Sequence, residues 1–228
     1  MTLKFNSINI ITYGRSGSTL LSGILNSIPG VLVRGENNLF IFQLFQSYAS
    51  LVESKSIPYN AKSGDPTHPW YGIQDVDLEE YIAGCKILIR NVLVPRRLRE
   101  TGICYGFKEI RYPYIDHLDK FLSFIRSVMP QSAFIFNFRD HEEVIKSGWW
   151  ANEDKENSLN ILRQFEASAM RYASSHEDHS FTIEYPEVAS GGLRLREMFG
   201  FLGANYDYSL IKSILGRVHS TKTVHDVL

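Results

Sequence analysis

Between an apolar run that reads as a strand (Ile8-Asn9-Ile10-Ile11-Thr12) and a run with helical spacing (Leu20, Leu21, Ile24, Leu25, Ile28) lies the segment Tyr13-Gly14-Arg15-Ser16-Gly17-Ser18-Thr19. Strand, small-residue turn, helix is the arrangement that most constrains this chain. Glycines let the turn adopt conformations closed to other residues, and its N–H groups can then converge on anionic oxygens. The start of the following helix adds unpaired N–H donors and the positive end of its dipole. The turn is not a Walker A loop, which needs two glycines five apart followed by Lys-Ser/Thr. Here Gly14 and Gly17 are three apart, no lysine follows, and the basic residue, Arg15, lies inside the turn. Taken alone, the same residues would also serve as a plain turn with a helix N-cap.

The rest of the chain alternates in the same way. Apolar runs at 5–12, 31–34, 104–110, 132–138 and 180–184 read as strands, several too continuous for a sheet with one wet face. Leu78, Ile82, Cys85, Ile89 and Val92 form one stripe at helical spacing, and Leu162, Phe165, Ala169 and Tyr172 another. Pro186 suits the first turn of a helix carrying Leu193, Met198 and Leu202. Strands alternating with helices predict an α/β fold, a three-layer parallel sheet with helices on both faces, in one domain spanning 1–228. Ligands of such folds bind at the carboxyl ends of the strands, where the first turn lies. Residues 53–76, with Pro58, Gly64, Pro66, Pro69 and Gly72, form the irregular stretch. Carrying His68, Trp70 and Tyr71, it is either a lid over an acceptor site or a surface loop with an aromatic anchor.

Composition excludes several functions. With 24 basic and 25 acidic residues the net charge is −1, so no broad basic face for nucleic acid is expected. Cys85 and Cys104 belong to no Cys-x-x-Cys pair, and neither structural zinc nor any other metal is expected. Cys85 falls on an apolar stripe as a buried thiol. No signal peptide and no apolar run long enough for a bilayer span is read, and the expected location is the cytoplasm.

Four further features carry chemistry. Phe134-Ile135-Phe136-Asn137-Phe138-Arg139-Asp140 reads as a strand ending at Arg139 with a helix opening near Asp140, which puts Ser147 about two turns into that helix. A guanidinium offers phosphate a planar fork of donors; the bland alternatives are a surface ion pair and a solvated helix position. Glu36 follows Gly35 at the end of Val31-Leu32-Val33-Arg34, where it is either a general base or the cap of a helix from Asn37 onward. Gly106-Phe107-Lys108-Glu109-Ile110-Arg111-Tyr112 reads as a strand leading into a helix. Alternation puts Lys108 and Glu109 on opposite sides, and a Glu109–Arg111 salt bridge is expected at the sheet end. Trp70, Tyr71, Tyr112, Tyr114, Trp149 and Trp150 are stacking faces or core.

The Gly14–Thr19 cradle resembles the phosphosulfate loop of sulfotransferases that use 3′-phosphoadenosine 5′-phosphosulfate (PAPS), most closely the branch of carbohydrate and tyrosylprotein sulfotransferases and their bacterial relatives. The resemblance runs from residue 10 to about 150, with traces to 222. It implies a P-loop-like sulfotransferase fold, with Gly14, Arg15, Ser16, Gly17, Ser18 and Thr19 holding the phosphosulfate. By the same resemblance Arg139 and Ser147 hold the 3′-phosphate, and Tyr185, Ser220 and Lys222 are weaker cofactor contacts. Catalysis is assigned to Glu36 as base, with Arg15 and Lys108 stabilising the transferring group. The branch has Lys-Asp-Pro where this chain has Lys108-Glu109-Ile110, so the turn after the lysine must differ. The implied activity is transfer of a sulfuryl group to the hydroxyl of a small-molecule or glycan acceptor, a carbohydrate or glycoconjugate. Two rivals share the architecture: a P-loop kinase, which the missing Walker lysine argues against, and a catalytically silent nucleotide-binding protein.

Overall fold

A computed structural model describes residues 3–216. Ser220 and Lys222 lie outside the described residues. In chain order the elements are β1 (Ser7–Ile11), α1 (Ser18–Leu25), β2 (Val31–Arg34), α2 (Phe40–Ser56), α3 (Leu78–Leu93), β3 (Cys104–Glu109) and α4 (Leu118–Val128). Then follow β4 (Ser132–Phe138), α5 (His141–Val144), α6 (Lys155–Ser175), β5 (Ser180–Glu184), α7 (Tyr185–Ser190), α8 (Leu193–Leu202) and α9 (Tyr208–Leu215).

All five strands stand where the apolar runs put them, in one parallel sheet of order β2-β3-β1-β4-β5. Period-two alternation explains why both faces are dry. Along β4, Phe134, Phe136 and Phe138 enter one core with α2, α3, α4 and α6. Ala133 and Ile135 point the other way, into a second core with α1, α8 and α9. The register matches like with like: Ile8 sits beside Ala133 and Ile10 beside Ile135, and Ile135 beside Phe181. Gly106 belongs to this packing, since a Cβ there would lie 1.7 Å from the Ile8 carbonyl oxygen. The result is a three-layer α/β fold with helices on both faces. Among the described residues no helix is long and apolar enough to cross a membrane.

The structure departs from the sequence reading locally. The helix read through Pro186 is two helices: Pro186 opens α7, which stops at Gly191 in the left-handed region, and α8 starts after Gly192. The helix at Asp140 is short. Asp140 caps it by accepting from Glu143 N, but α5 ends at Val144, and Ser147 lies beyond it in extended backbone (φ −127°, ψ 137°). The strand ending at Glu109 leads into a 3-10 turn, Tyr112–Tyr114, before α4. On α3, Cys85 and Ile89 are buried as expected, but the buried residue of the last turn is Leu93, and Val92 is 53% exposed. Residues 53–56 complete α2. The remainder of the 53–76 stretch holds two 3-10 turns tied to the C-terminal end of α2, with Lys55 Nζ donating to the Gln74 (2.7 Å) and Val76 (2.5 Å) carbonyls.

Candidate active site at the carboxyl edge of the sheet

The turn after β1 is stapled to the end of β4. Tyr13 is fully buried, and its hydroxyl donates to the Arg139 carbonyl at 2.8 Å while accepting from the Arg139 N–H at 2.9 Å. Burial pushes that phenol well above its ordinary pKa, so it stays protonated and serves as a fixed clip. Thr12 Oγ1 donates to the Asn137 carbonyl at 2.6 Å and lies 2.7 Å from Ser16 Oγ. Arg15 and Gly17 both take left-handed backbone, φ +71° and +81°.

The two glycines have separate steric reasons. A Cβ on Gly14 would lie 2.2 Å from the Trp149 indole, and one on Gly17 would lie 2.1 Å from the Tyr185 ring. The turn is thus clasped between Trp149 and Tyr185, and the neighbouring Trp150 Nε1 donates to the Gly14 carbonyl at 3.2 Å. Among the described residues the backbone N–H groups from Arg15 to Thr19 meet no acceptor. A turn with two left-handed residues and free amides leading into a helix start is suited to an anion.

Two arginines face this cradle. Arg139 lies 4.5 Å over the Tyr185 ring, donates to the Arg15 carbonyl at 3.3 Å, and pairs with Glu143 through Nη2 (2.8 Å) and Nε (2.9 Å). Arg15 Nε donates to Ser147 Oγ at 2.9 Å. Gly148, at φ +63°, leaves room for that arginine, since a Cβ there would lie 2.9 Å from its Cδ. The structure therefore brings Arg15, Arg139, Ser147 and Tyr185 together around Gly14–Thr19. The surface ion pair anticipated as the bland role of Arg139 also exists, with Glu143, four residues along; the i,i+4 spacing could have revealed it. Tyr13 and Trp149 as supports of the cradle carried no sequence signal beyond being aromatic.

Across the sheet, at the ends of β2 and β3, lies a network of four charges. Lys108 Nζ, nearly buried, donates to Glu36 Oε1 at 2.6 Å, and Arg111 Nη1 lies 3.7 Å from Glu36 Oε2. Arg111 also donates to Glu109 Oε1 at 3.0 Å, the salt bridge the sequence predicted. Glu109 Oε2 accepts from Leu39 N (3.0 Å) and Asn37 N (3.3 Å), and its Oε1 accepts from Ile110 N (2.8 Å). Glu109, not Glu36, therefore closes the entry to α2, together with Asn37, whose Oδ1 accepts from Phe40 N at 3.1 Å. Burial alone would raise the Glu109 pKa. The N–H groups of Leu39, Ile110 and Asn37 and the Arg111 guanidinium outweigh it and hold the carboxyl below its ordinary value. Lys108 and Glu109 leave β3 on opposite faces, as alternation requires.

Glu36 opens on a cavity of about 440 Å³ lined by Ile110, Arg111, Tyr114, Trp149 and Trp150. Trp149 is common to both halves, packing on Gly14 and walling this cavity. A larger cavity of about 620 Å³, between α4 and α6, is lined by residues such as His117, Arg171 and His176 and includes none of the cradle, so size does not locate the chemistry. The 57–76 segment follows α2, a helix of 17 residues or about 25 Å that begins at Phe40, shortly after Glu36. Trp70 and Tyr71 are exposed there, and Tyr112 is buried core. Among the described residues no group of three or more His, Cys, Asp or Glu is placed to hold a metal ion.

No protein-family model matches the sequence, and no curated protein does. Among solved structures, the chain is similar to the sulfotransferase domain from the Synechococcus PCC 7002 olefin synthase, with TM-score 0.59 and 18% identity over 97% of this chain and 79% of that one. Sulfotransferase STF9 from Mycobacterium avium aligns with TM-score 0.47 and 13% identity over 92% of this chain and 67% of that one. At such identity the first likeness is one of architecture: the chain has the α/β fold of that sulfotransferase domain, an all-parallel five-stranded sheet between helical layers.

Proposed function

We propose that this chain is a sulfotransferase that moves a sulfuryl group from PAPS to a hydroxyl of an uncharged, ring-shaped acceptor, a carbohydrate or glycoconjugate. One observation carries the reading: Trp149 joins an anion cradle to a cavity that presents Glu36, the carboxylate paired with Lys108, so donor and acceptor would meet across one indole. The cradle fits the donor's chemistry. Its free amides and Arg15 suit the phosphosulfate, while Arg139 and Ser147, next to the Tyr185 ring, suit the second phosphate.

The donor, when bound, supplies an activated sulfur whose bond to the phosphate oxygen breaks as a bond to the acceptor oxygen forms. The residues position and stabilise. Glu36 accepts the hydroxyl proton, Lys108 moves from Glu36 toward the sulfuryl oxygens, and Arg15 faces charge growing on the leaving phosphate. The four charges of the acceptor half sum to zero, Lys108 and Arg111 against Glu36 and Glu109, which favours a neutral acceptor. The exposed rings of Tyr114 and Trp149 offer the flat faces on which sugar C–H groups pack.

Titration calorimetry with 3′,5′-adenosine bisphosphate, and separately with ATP and Mg²⁺, tests the donor class. Binding of the first in the micromolar range is expected, with Arg139→Ala weakening it; preference for ATP with Mg²⁺ would sink the proposal in favour of a kinase. Incubation with PAPS and a panel of sugars and phenols tests turnover. Nucleotide binding with no transfer to any acceptor would leave a silent binding protein.

A further inference from the structure

Two cavities lie on either side of one turn. Ile110, Arg111 and Tyr114 line the cavity of about 440 Å³ on which Glu36 opens. Tyr112, Pro113 and Ile115 line the cavity of about 620 Å³ between α4 and α6. The chain from 110 to 115 thus divides between the two, and the 3-10 turn Tyr112–Tyr114 is the wall they share. Pro113 stiffens that wall by fixing its own φ. Both volumes suit a small-molecule pocket, yet only the smaller holds a residue with a part in transfer.

The larger cavity is polar and carries both signs of charge. Asp116 and Asp119 enter it around the start of α4, and Arg171 enters it from α6. Two carboxylates oppose a simple anion, and the guanidinium opposes a simple cation. Among the described residues, the side chains of Asp116, His117 and Asp119 make no hydrogen bond or ion pair. The N–H groups of Leu118 and Asp119, at a helix start with no side-chain cap, meet no acceptor. Unpaired donors and acceptors in close mixture match a ligand of many hydroxyls, since each hydroxyl both donates and accepts. His117 stands there at φ +57°, a conformation rare for residues with a side chain and concentrated at binding sites. On the α6 side, Arg171 Nη2 is oriented by donating to Ser168 Oγ at 3.0 Å. His176 is held flat against Tyr172, with ring centroids 4.2 Å apart and planes 18° apart. A fixed pair of rings offers the C–H face of a sugar a surface to pack on.

We propose that the α4–α6 cavity is a carbohydrate subsite, which holds a neighbouring sugar of the acceptor while the sugar to be sulfated lies beside Glu36. The assignment rests on the sulfotransferase reading and narrows the acceptor from a single sugar to an oligosaccharide draped over the 112–114 turn. Arg171 and Asp116 hydrogen-bond hydroxyls of the neighbouring sugar, and the Tyr172–His176 pair packs on its ring. The subsite grips the acceptor away from the reacting atoms and equally before and during transfer, so it governs KM more than kcat.

An array of neutral glycans, from monosaccharides to hexasaccharides, probed with the labelled full chain tests the subsite without any donor. Capture of oligosaccharides but not of monosaccharides is expected. Arg171→Ala and Asp116→Asn should each weaken the affinity for a captured glycan about tenfold, the scale of one lost charge-assisted hydrogen bond. Lys120→Ala, an exposed change on α4 outside the cavity, should leave that affinity unchanged. With PAPS present, Arg171→Ala should raise KM for the same oligosaccharide and retain kcat. Capture of no glycan of any length, or capture indifferent to both Arg171→Ala and Asp116→Asn, would overturn the proposal. The sulfotransferase reading fails by a different measurement, absence of binding to 3′,5′-adenosine bisphosphate. Glycan capture that depends on Arg171 in a chain that binds no such nucleotide would support the sugar site and sink that reading.

Discussion

The two halves of the carboxyl edge differ in how their charges are balanced. On the β1–β4–β5 side, Arg15 donates to a serine hydroxyl beside free backbone amides, and Arg139 pairs with an exposed carboxylate, Glu143. On the β2–β3 side, Lys108 and Arg111 are matched one for one by Glu36 and Glu109. An anion is suited by arginines set beside free amides, and a neutral group by charges already paired with one another. The halves differ also in how they are held. The glycine turn is shaped by close approach, with Trp149 and Tyr185 against glycines. The Glu36 side is shaped by hydrogen bonds converging on the buried carboxylate of Glu109.

The sharpest way to break this division is at Glu36. Glu36→Gln keeps an oxygen for Lys108 but cannot take a proton. Transfer should fall by roughly 10²–10⁴, while affinity for 3′,5′-adenosine bisphosphate stays near wild type. Measuring turnover and calorimetric affinity on the same preparation decides it: a normal rate removes the base role, and a matching loss of nucleotide affinity dissolves the distinction between halves.

Next in size is Arg139→Ala. Loss of a charge-assisted phosphate contact should cost about 1.5–3 kcal/mol, roughly ten- to a hundredfold in nucleotide affinity. Undiminished binding would reduce Arg139 to its Glu143 pair.

Glu109→Gln should act on stability instead. The buried carboxylate accepts from three backbone N–H groups and Arg111, and weakening that set should lower stability by about 1–3 kcal/mol. Its pKa is depressed in the folded state, so its contribution is present above the unfolded value near 4.5 and is lost as pH falls through the folded value. The deficit of the variant should therefore be full at neutral pH and shrink in acid. Denaturant midpoints across pH 3–7 check this; a deficit that does not change with pH would mean the charge of Glu109 is not what the site uses.

The smallest effect is expected from Glu143→Gln. Removing the carboxylate that pairs with Arg139 frees that arginine and should tighten nucleotide binding about two- to fivefold, the scale of an exposed ion pair. Weaker binding would show that Glu143 orients Arg139 instead of competing for it.

Much of this edge was legible in the chain. The Gly14–Thr19 turn could be read because its information is local: a strand, a turn that needs glycine, and a helix lie within about twenty consecutive residues. The Arg139 strand end and the Glu109–Arg111 pair were local for the same reason. Counting from a helix opening at Asp140 puts Ser147 two turns into it, but α5 ends at Val144 and the serine accepts from Arg15 out of extended backbone. The pairing of Glu36 with Lys108 joins residues 72 apart in sequence, and no pattern in the sequence states it.

By itself, then, the sequence determined the layers, the buried strands and the glycine turn between β1 and α1, because period-two and helical alternation and turn chemistry act over a few residues. Tertiary structure alone decided which aromatic rings demand the two glycines, that Glu109 and not Glu36 closes α2, and that Glu36 pairs with Lys108 at the edge of a cavity. Those choices depend on strand order. By placing β3 between β2 and β1, the sheet brings carboxylates and cations from distant segments within hydrogen-bonding reach, where burial makes their pairing specific.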